Sequence, residues 1–488
     1  MSGTHVVTID IGSSSVRALL FDAQAGQVQG FGAQLAYEIR TSPDGGAEID
    51  PDALANIVTA CLDELHHQIQ RAGIAPAAVG FSAFWHSFCG VDHNGKPTLP
   101  ILHLLDTRSE DQIVRVPDAH RRTGCVPHAS YWPAKLLWLE KNRTSEFRAT
   151  HRWLSFSEYF FLQLFGRSRT STSMVSATGL WNQGANDYNE EMLSALPISR
   201  DQLAAVDTLD EPECDLLAEF RQRWPAFDGI PWYPAVGDGA ANHIGSGCVT
   251  PEQYSLMVGT TGAMRALPSS LDDGIPRGLW CYRVDRRRPL IGGALSNGGN
   301  VLAWLKRTLV LPADLEARLE SAKPGSHGLT VCPFLAGERS PYWRADLRAV
   351  IAGLSLSTDP SQIVHAFMES VALRFRAIYD LLSARLCAPQ EVIASGGGLQ
   401  RSHAWTQMMA DALGHPVLRS QTPEASSRGV AMLALERLGV VSSLAQFHAA
   451  TGHVFSPRCE FKAEYERLAV EQEALFKKQF GSTKATEE

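Results

Sequence analysis

Two short turns rich in glycine and hydroxyl residues, one in each half of the chain, constrain this sequence more than any other feature. In the first half, Val6, Val7, Ile9 and Ile11 alternate with polar or small residues. Gly12-Ser13-Ser14-Ser15 follows, and an apolar run then resumes from Val16 to Phe21. That pattern predicts a β-hairpin. In the second half, Leu256 to Leu267 repeats it around Gly259-Thr260-Thr261-Gly262, and in both cases an arginine follows shortly after the turn. Such a turn directs several backbone N–H groups and hydroxyls to one point, a concavity that suits phosphate oxygens. The same residues would also serve an ordinary tight hairpin. Two such turns, one per half, suit a phosphate chain gripped between two bodies and point to a duplicated domain.

The surrounding segments repeat the same order. After the first hairpin, a third strand is expected over residues 26–37. Asp50-Pro51 then opens a helix, with Leu54, Ile57, Val58, Cys61, Leu62, Leu65 and Ile69 on one face and Gly73 closing it. A strand over 79–83 follows. In the second half, Asp359-Pro360 opens a helix, 392–394 reads as a short strand, and 404–413 and 428–438 read as helices. Alternating strands and helices argue for α/β layers. At 488 residues the chain is too long for one ordinary core. The expected division falls after GDGAANHIGSG, giving residues 1–248 and 249–488.

Composition excludes several classes. The net charge is −8 and no basic block occurs, so no nucleic-acid partner is expected. The nine cysteines are scattered and form no CxxC pair, which reads as reduced thiols in a cytoplasmic protein. The amino-terminal residues run straight into a strand pattern, with no signal-peptide signature, and no apolar stretch approaches membrane-spanning length. The closing GSTKATEE is expected to fray. There is no GxxxxGK[ST] loop, no GxGxxG after the first strand, no zinc-spaced Cys/His cluster and no GxSxG elbow.

Several residues are suited to chemistry. Asp10, at the end of the first strand, could hold Mg²⁺ directly or through water, and Arg17 could neutralise phosphate charge. Asp238 lies in Gly237-Asp238-Gly239, where flanking glycines would let a ligand approach the carboxylate. It could accept the proton of an attacking hydroxyl, or simply cap a helix. Ser395-Gly396-Gly397-Gly398 lies between a strand and a helix, where backbone can approach a ring or a phosphate, or merely pack. Trp85 and His86 follow a strand and could line a pocket or stay in the core. Asp106-Thr107-Arg108 could bind a polyhydroxyl ligand or form a surface ion pair.

Together and in this order, these stretches resemble the FGGY family of carbohydrate kinases, nearest its gluconokinase and xylulokinase branches. The resemblance is carried by DIGSSSVRALLFD, SYWPAKLLWLEKN, VGDGAANHIGSG, VGTTGAMRAL, the run from GERSPYW to HAFMESVAL, and ASGGGLQRSHAWTQMMADALG. It implies two actin-like, ribonuclease-H-like ATPase domains around a central cleft, sugar mainly on the first and ATP mainly on the second. It implies Mg²⁺ at Asp10 and Asp238, with Asp238 as catalytic base and substrate contact. It also implies nucleotide contacts from Gly12, Ser13, Ser14, Ser15, Arg17, Gly259, Thr260, Thr261, Gly262, Gly299, Gly396 and Gly397. Trp85 and His86 fall where xylulokinases carry a Met-His pair, so the tryptophan is a departure. The AFWHS segment, the Asp106-Thr107-Arg108 triplet and Asn297-Gly298-Gly299 look more like gluconokinases.

The resemblance therefore implies ATP-dependent phosphorylation of a small sugar acid or sugar, foremost D-gluconate to 6-phosphogluconate. Its substrate contacts would be Trp85, His86, Arg108 and Asp238. A xylulokinase or another pentulose or polyol kinase is the alternative. A non-catalytic actin-like ATPase or sugar sensor is a further one; a sensor would be expected to lack the acid at 238. Homodimers occur among such relatives.

Overall fold

The computed structural model describes residues 4–272, 274–386 and 388–481. Cys387 and the terminal segment expected to fray, save Gly481, lie outside them.

The first half is built on a five-stranded sheet. Strands β1 (Val6–Ile11), β2 (Ser15–Phe21) and β3 (Gln27–Ala36) form an antiparallel meander. Helix α1 (Pro51–Ala72) starts where the side chain of Asp50 accepts the Ala53 N–H, 2.9 Å away, and stops at Gly73 in the left-handed conformation. Strand β4 (Ala78–Ala83) then pairs parallel with β1, and the short β5 (Val236–Gly237) pairs parallel with β4. The order is β5-β4-β1-β2-β3. The long segment between β4 and β5 supplies a helical insertion, including the helix Trp132–Asn142. From β5 the chain passes directly into helix α2 (Asp238–Gly245).

The second half repeats the plan in a seven-stranded sheet. Strands β6 (Gln253–Val258), β7 (Gly262–Ala266), β8 (Trp280–Arg283) and β9 (Pro289–Leu295) precede helix α3 (Gly299–Thr308) and the long α4 (Pro360–Leu386). Strand β10 (Glu391–Ser395), helix α5 (His403–Leu413), β11 (Val417–Ser420), helix α6 (Ala425–Arg437), β12 (Thr451–Phe455) and α7 (Lys462–Phe480) complete it. The order is β8-β9-β7-β6-β10-β11-β12. Within it, β9-β7-β6 is an antiparallel meander and β10 and β11 add in parallel. That matches β3-β2-β1-β4-β5 strand for strand, so the duplicated architecture expected from the sequence is present.

Each sheet has its own apolar core, but the halves are not sealed from each other. Helix α6 belongs to the second half by sequence, yet packs on α2, β1 and β4. Val430, Ala431, Met432, Leu433, Ala434 and Leu435 join the first core. Glycines permit this crossing: a Cβ at Gly245 would lie 1.7 Å from the Ala425 carbonyl oxygen, and one at Gly429 would lie 1.9 Å from that of Ala241. The two helices meet backbone to backbone. Among the described residues, no helix is long and apolar enough to cross a membrane.

Candidate active site

Asp10 lies opposite Arg17 in the β1–β2 register, with Oδ2 3.5 Å from Arg17 Nη1. Its Oδ1 is buried without a partner. Burial, with a smaller push from Asp238, raises the Asp10 carboxyl to about 6. Arg17 also reaches Glu424, just ahead of α6, at 3.3 Å. The turn is fixed from beneath: the Gly12 N–H donates to Ser15 O at 3.1 Å, and the Tyr37 hydroxyl donates to Gly12 O. Ser13 and Ser14 at its tip are exposed.

Strand β5 delivers Asp238 as the first residue of α2, where its Oδ1 accepts the Gly239 N–H at 2.7 Å. Burial raises its pKa, opposed by the guanidinium of Arg265 on β7. The neighbouring glycines have a different cause from the one expected. A Cβ at Gly237 would lie 1.8 Å from Trp85 Cε2, and one at Gly239 would lie 2.7 Å from Trp85 Cζ3. Gly237 and Gly239 thus make room for an indole rather than for a ligand. Trp85 is buried, and its Nε1–H donates to Ser173 O at 3.0 Å. It is a wall beside the carboxylate.

The second turn is assembled from three segments. The Gly259 N–H donates to Thr261 O, while Gly259 O and Thr260 O accept the N–H groups of Gly299 and Asn300, at 2.9 and 3.0 Å. The start of α3 is thereby pinned against the turn. Gly396, at φ 85°, sits so close to β6 that a Cβ would lie 2.5 Å from Val258 O. Gly259, Thr260, Thr261, Gly262, Gly299, Gly396 and Gly397 are therefore brought together.

On the insertion side, His86 adopts a left-handed φ of 66°, and its Nδ1–H donates to Ala177 O at 2.7 Å. Burial lowers its pKa to about 3, so the ring is neutral. Tyr131 and Tyr282 pack edge-on to it, with ring centroids 5.0 and 5.3 Å away and their hydroxyls 2.6 Å apart. Arg339 lies in the same cluster and depresses His86 and His128 electrostatically. Lys135, fully buried, donates to His103 O at 2.7 Å, and burial lowers its pKa to about 7.

Arg108 is held differently from the substrate contact expected. Its guanidinium bonds Asp106 and, at 2.8 Å, Glu48, and stacks over Trp138 at 4.6 Å. With Nε and Nη2 bound in this ion-pair network, it braces the insertion. Conversely, the motif reading gives no role to Tyr131, Arg265, Tyr282 or Arg339. The available signal was repetition, since Arg265 follows the second turn as Arg17 follows the first.

The residues fit a magnesium ion that also holds phosphate and water. Asp10, buried, and Asp238, half-buried, are two carboxylates near enough to affect each other, the first with an unpartnered oxygen, and Mg²⁺ commonly takes one or two carboxylates. Among the described residues, no group of three or more His, Cys, Asp or Glu could hold a metal alone. A cavity of about 200 Å³ lined by His365, Glu369, His403 and His453 shares no residue with this site.

Comparison with known proteins follows the same outline. Residues 5–245 match the N-terminal domain of the FGGY family of carbohydrate kinases, and 279–436 match its C-terminal domain. A gluconokinase of Bacillus subtilis (strain 168) is 27% identical over 459 residues, covering 90% of this chain and 89% of that protein. The structure of a gluconate kinase from Lactobacillus acidophilus superimposes with a TM-score of 0.90 at 24% identity, covering 100% of this chain and 99% of the other. A ligand-bound xylulose kinase from the same species gives 0.90 at 24% identity, covering 98% and 99%. With both domains matched across most of its length, the chain belongs to the FGGY family of carbohydrate kinases and is a sugar kinase.

Proposed function

We propose that this kinase transfers the γ-phosphoryl group of ATP to a terminal hydroxyl of a small sugar acid, foremost D-gluconate, giving 6-phosphogluconate. The observation that carries the reading is the position of Asp238, a half-buried carboxylate at a strand end beside Asp10 and next to a residue of the opposite half, Arg265. In this reading Asp238 orients the acceptor hydroxyl and takes its proton as the phosphoryl group leaves. A carboxylate raised by burial is suited to that step, because its basicity is closer to the working pH. Asp10 and Asp238 hold Mg²⁺, which neutralises charge on the phosphate oxygens when bound. The turns Gly12–Ser15 and Gly259–Gly262 supply N–H groups and hydroxyls to the phosphates, assisted by Arg17. Gly299, Gly396 and Gly397 shape the nucleotide side. His86 presents its unprotonated Nε2 to an acceptor hydroxyl, and Trp85 excludes water beside Asp238.

Residues 1–248 then form the mainly acceptor-binding domain and 249–488 the mainly nucleotide-binding one. The gluconokinase at 27% identity supports the acid as acceptor. A coupled ADP-release assay tests this with D-gluconate, other aldonates, D-xylulose, D-ribulose and glycerol, each with ATP and Mg²⁺. Turnover with gluconate is the expected result. Turnover with a pentulose alone would keep the mechanism and replace the acceptor.

A further inference from the structure

The cluster around Tyr282 contains more positive charge than the protein itself compensates. Arg265 is buried, and its Nε and Nη1 have no hydrogen-bond partner. Its Nη2 lies against the first turn of α2, 3.2 Å from where a Cβ of Gly239 would stand. The acid acting on it is Asp238, yet no ion pair joins the two. Arg339 donates through Nη2 to Leu295 O at 3.1 Å and has no acidic partner among the described residues. The two guanidinium groups act on each other and on Tyr282, while His86 and His128 beside them are held neutral by burial.

An uncompensated buried charge is costly, and arginine, unlike lysine, does not shed its proton to escape that cost. Lys135 illustrates the difference, since its own proton is weakly held. Two unpaired guanidinium groups next to an aromatic cluster are suited to a planar anion, which their N–H forks can bind in bidentate fashion.

We propose that Arg265 and Arg339 bind the carboxylate of the acceptor and make the enzyme selective for sugar acids over neutral polyols of the same length. The assignment rests on the kinase reading above. A neutral acceptor would leave the buried Arg265 and the half-buried Arg339 unpaired, so discrimination comes as much from rejecting the polyol as from holding the acid.

The same guanidinium chemistry would also suit the phosphoryl group in transfer, and the test separates the two. Steady-state kinetics of the full chain with D-gluconate and with D-sorbitol, each against varied ATP, are measured for wild type, Arg265→Gln and Arg339→Gln. The expected result is a fall in kcat/KM for gluconate of roughly 10–150-fold in each variant, the scale of one lost charged hydrogen bond. The KM for ATP stays unchanged, and sorbitol loses little or gains. Equal losses for both acceptors, or a raised KM for ATP, would overturn the proposal and give the arginines to the phosphoryl group.

A wild-type enzyme that prefers neutral acceptors would also overturn it while leaving the kinase intact. One that turns over neither acceptor would remove the reading beneath it. If a glutamine variant does not fold, the lysine variant is measured instead. It keeps the charge without the fork, and unchanged gluconate selectivity in it would count against the proposal.

Discussion

The hairpin at Gly12 and the hairpin at Gly259 share their strand pairing and turn chemistry, and differ in what surrounds the arginine that follows. Arg17 faces Asp10 in the second residue pair from the turn and also reaches Glu424. Arg265 stands two pairs deeper, opposite Ser255, whose hydroxyl is already engaged with His243. The first arginine is compensated within the protein, and the second is buried with donors to spare. The duplicated scaffold supplies the same turn twice, and the acid placed or omitted opposite each arginine decides which one remains available to a ligand.

The largest effect is expected at the acid between the two hairpins. Asp238→Asn should lower turnover by about 10²–10⁴-fold, the usual cost of losing a general base, while nucleotide binding persists. Near-normal turnover in the ADP-release assay would remove Asp238 from the chemistry.

Lys135 is a buried cation that can neutralise where the arginines cannot. Its folded pKa, about 7, lies below the ordinary lysine value of 10.5. Between those values the unfolded chain binds the proton that the folded state gives up, so stability from this group rises with pH across that window. Below pH 7 both states are protonated and its buried charge weighs fully on the fold. Relative to Lys135→Met, the wild type should gain about 2–3 kcal/mol between pH 7 and pH 9. Parallel denaturation curves for the two proteins at both pH values would contradict this.

Gly396→Ala tests the second turn alone. It forces a left-handed φ on a residue with a side chain and a clash with Val258 O, at a cost of about 1–3 kcal/mol in chemical denaturation. An unchanged midpoint would mean that β6 yields there easily. The smallest effect is expected at Arg17→Gln, a rise of roughly 10-fold in the KM for ATP with the gluconate-to-sorbitol ratio unchanged. A shifted ratio would erase the distinction between the two arginines.

The parts of the fold legible in the sequence were those set by neighbouring residues. The hairpins show in period-two alternation, and α1 shows in its Asp50 cap, its stripe and Gly73. What escaped was set by contacts distant along the chain. Nothing near Gly237-Asp238-Gly239 reports that Trp85 lies across it. A partner that ties down Arg108 is Glu48, from the short strand Ala47–Ile49 ahead of α1. Helix α6 reads as an ordinary member of the second half until its apolar face is found on the first sheet. Arg339 carries no local mark, and the place of Arg265 after the second turn does not tell that its donors are free, because an unmet hydrogen bond is a property of surroundings that only the fold assembles.

The contact of α2 with α6 has a consequence for how this kinase can move. Two helices touching through Gly245 and Gly429 have no side-chain cushion between them, so the junction behaves as a fulcrum rather than a slipping surface. One arm of that lever begins at Asp238, and the other begins beside Glu424, which holds Arg17. A rocking of one sheet against the other would therefore shift Asp238 and the Gly12–Ser15 turn together. With Asp238 as the proposed base, the opening that frees the product would also disarm the chemistry.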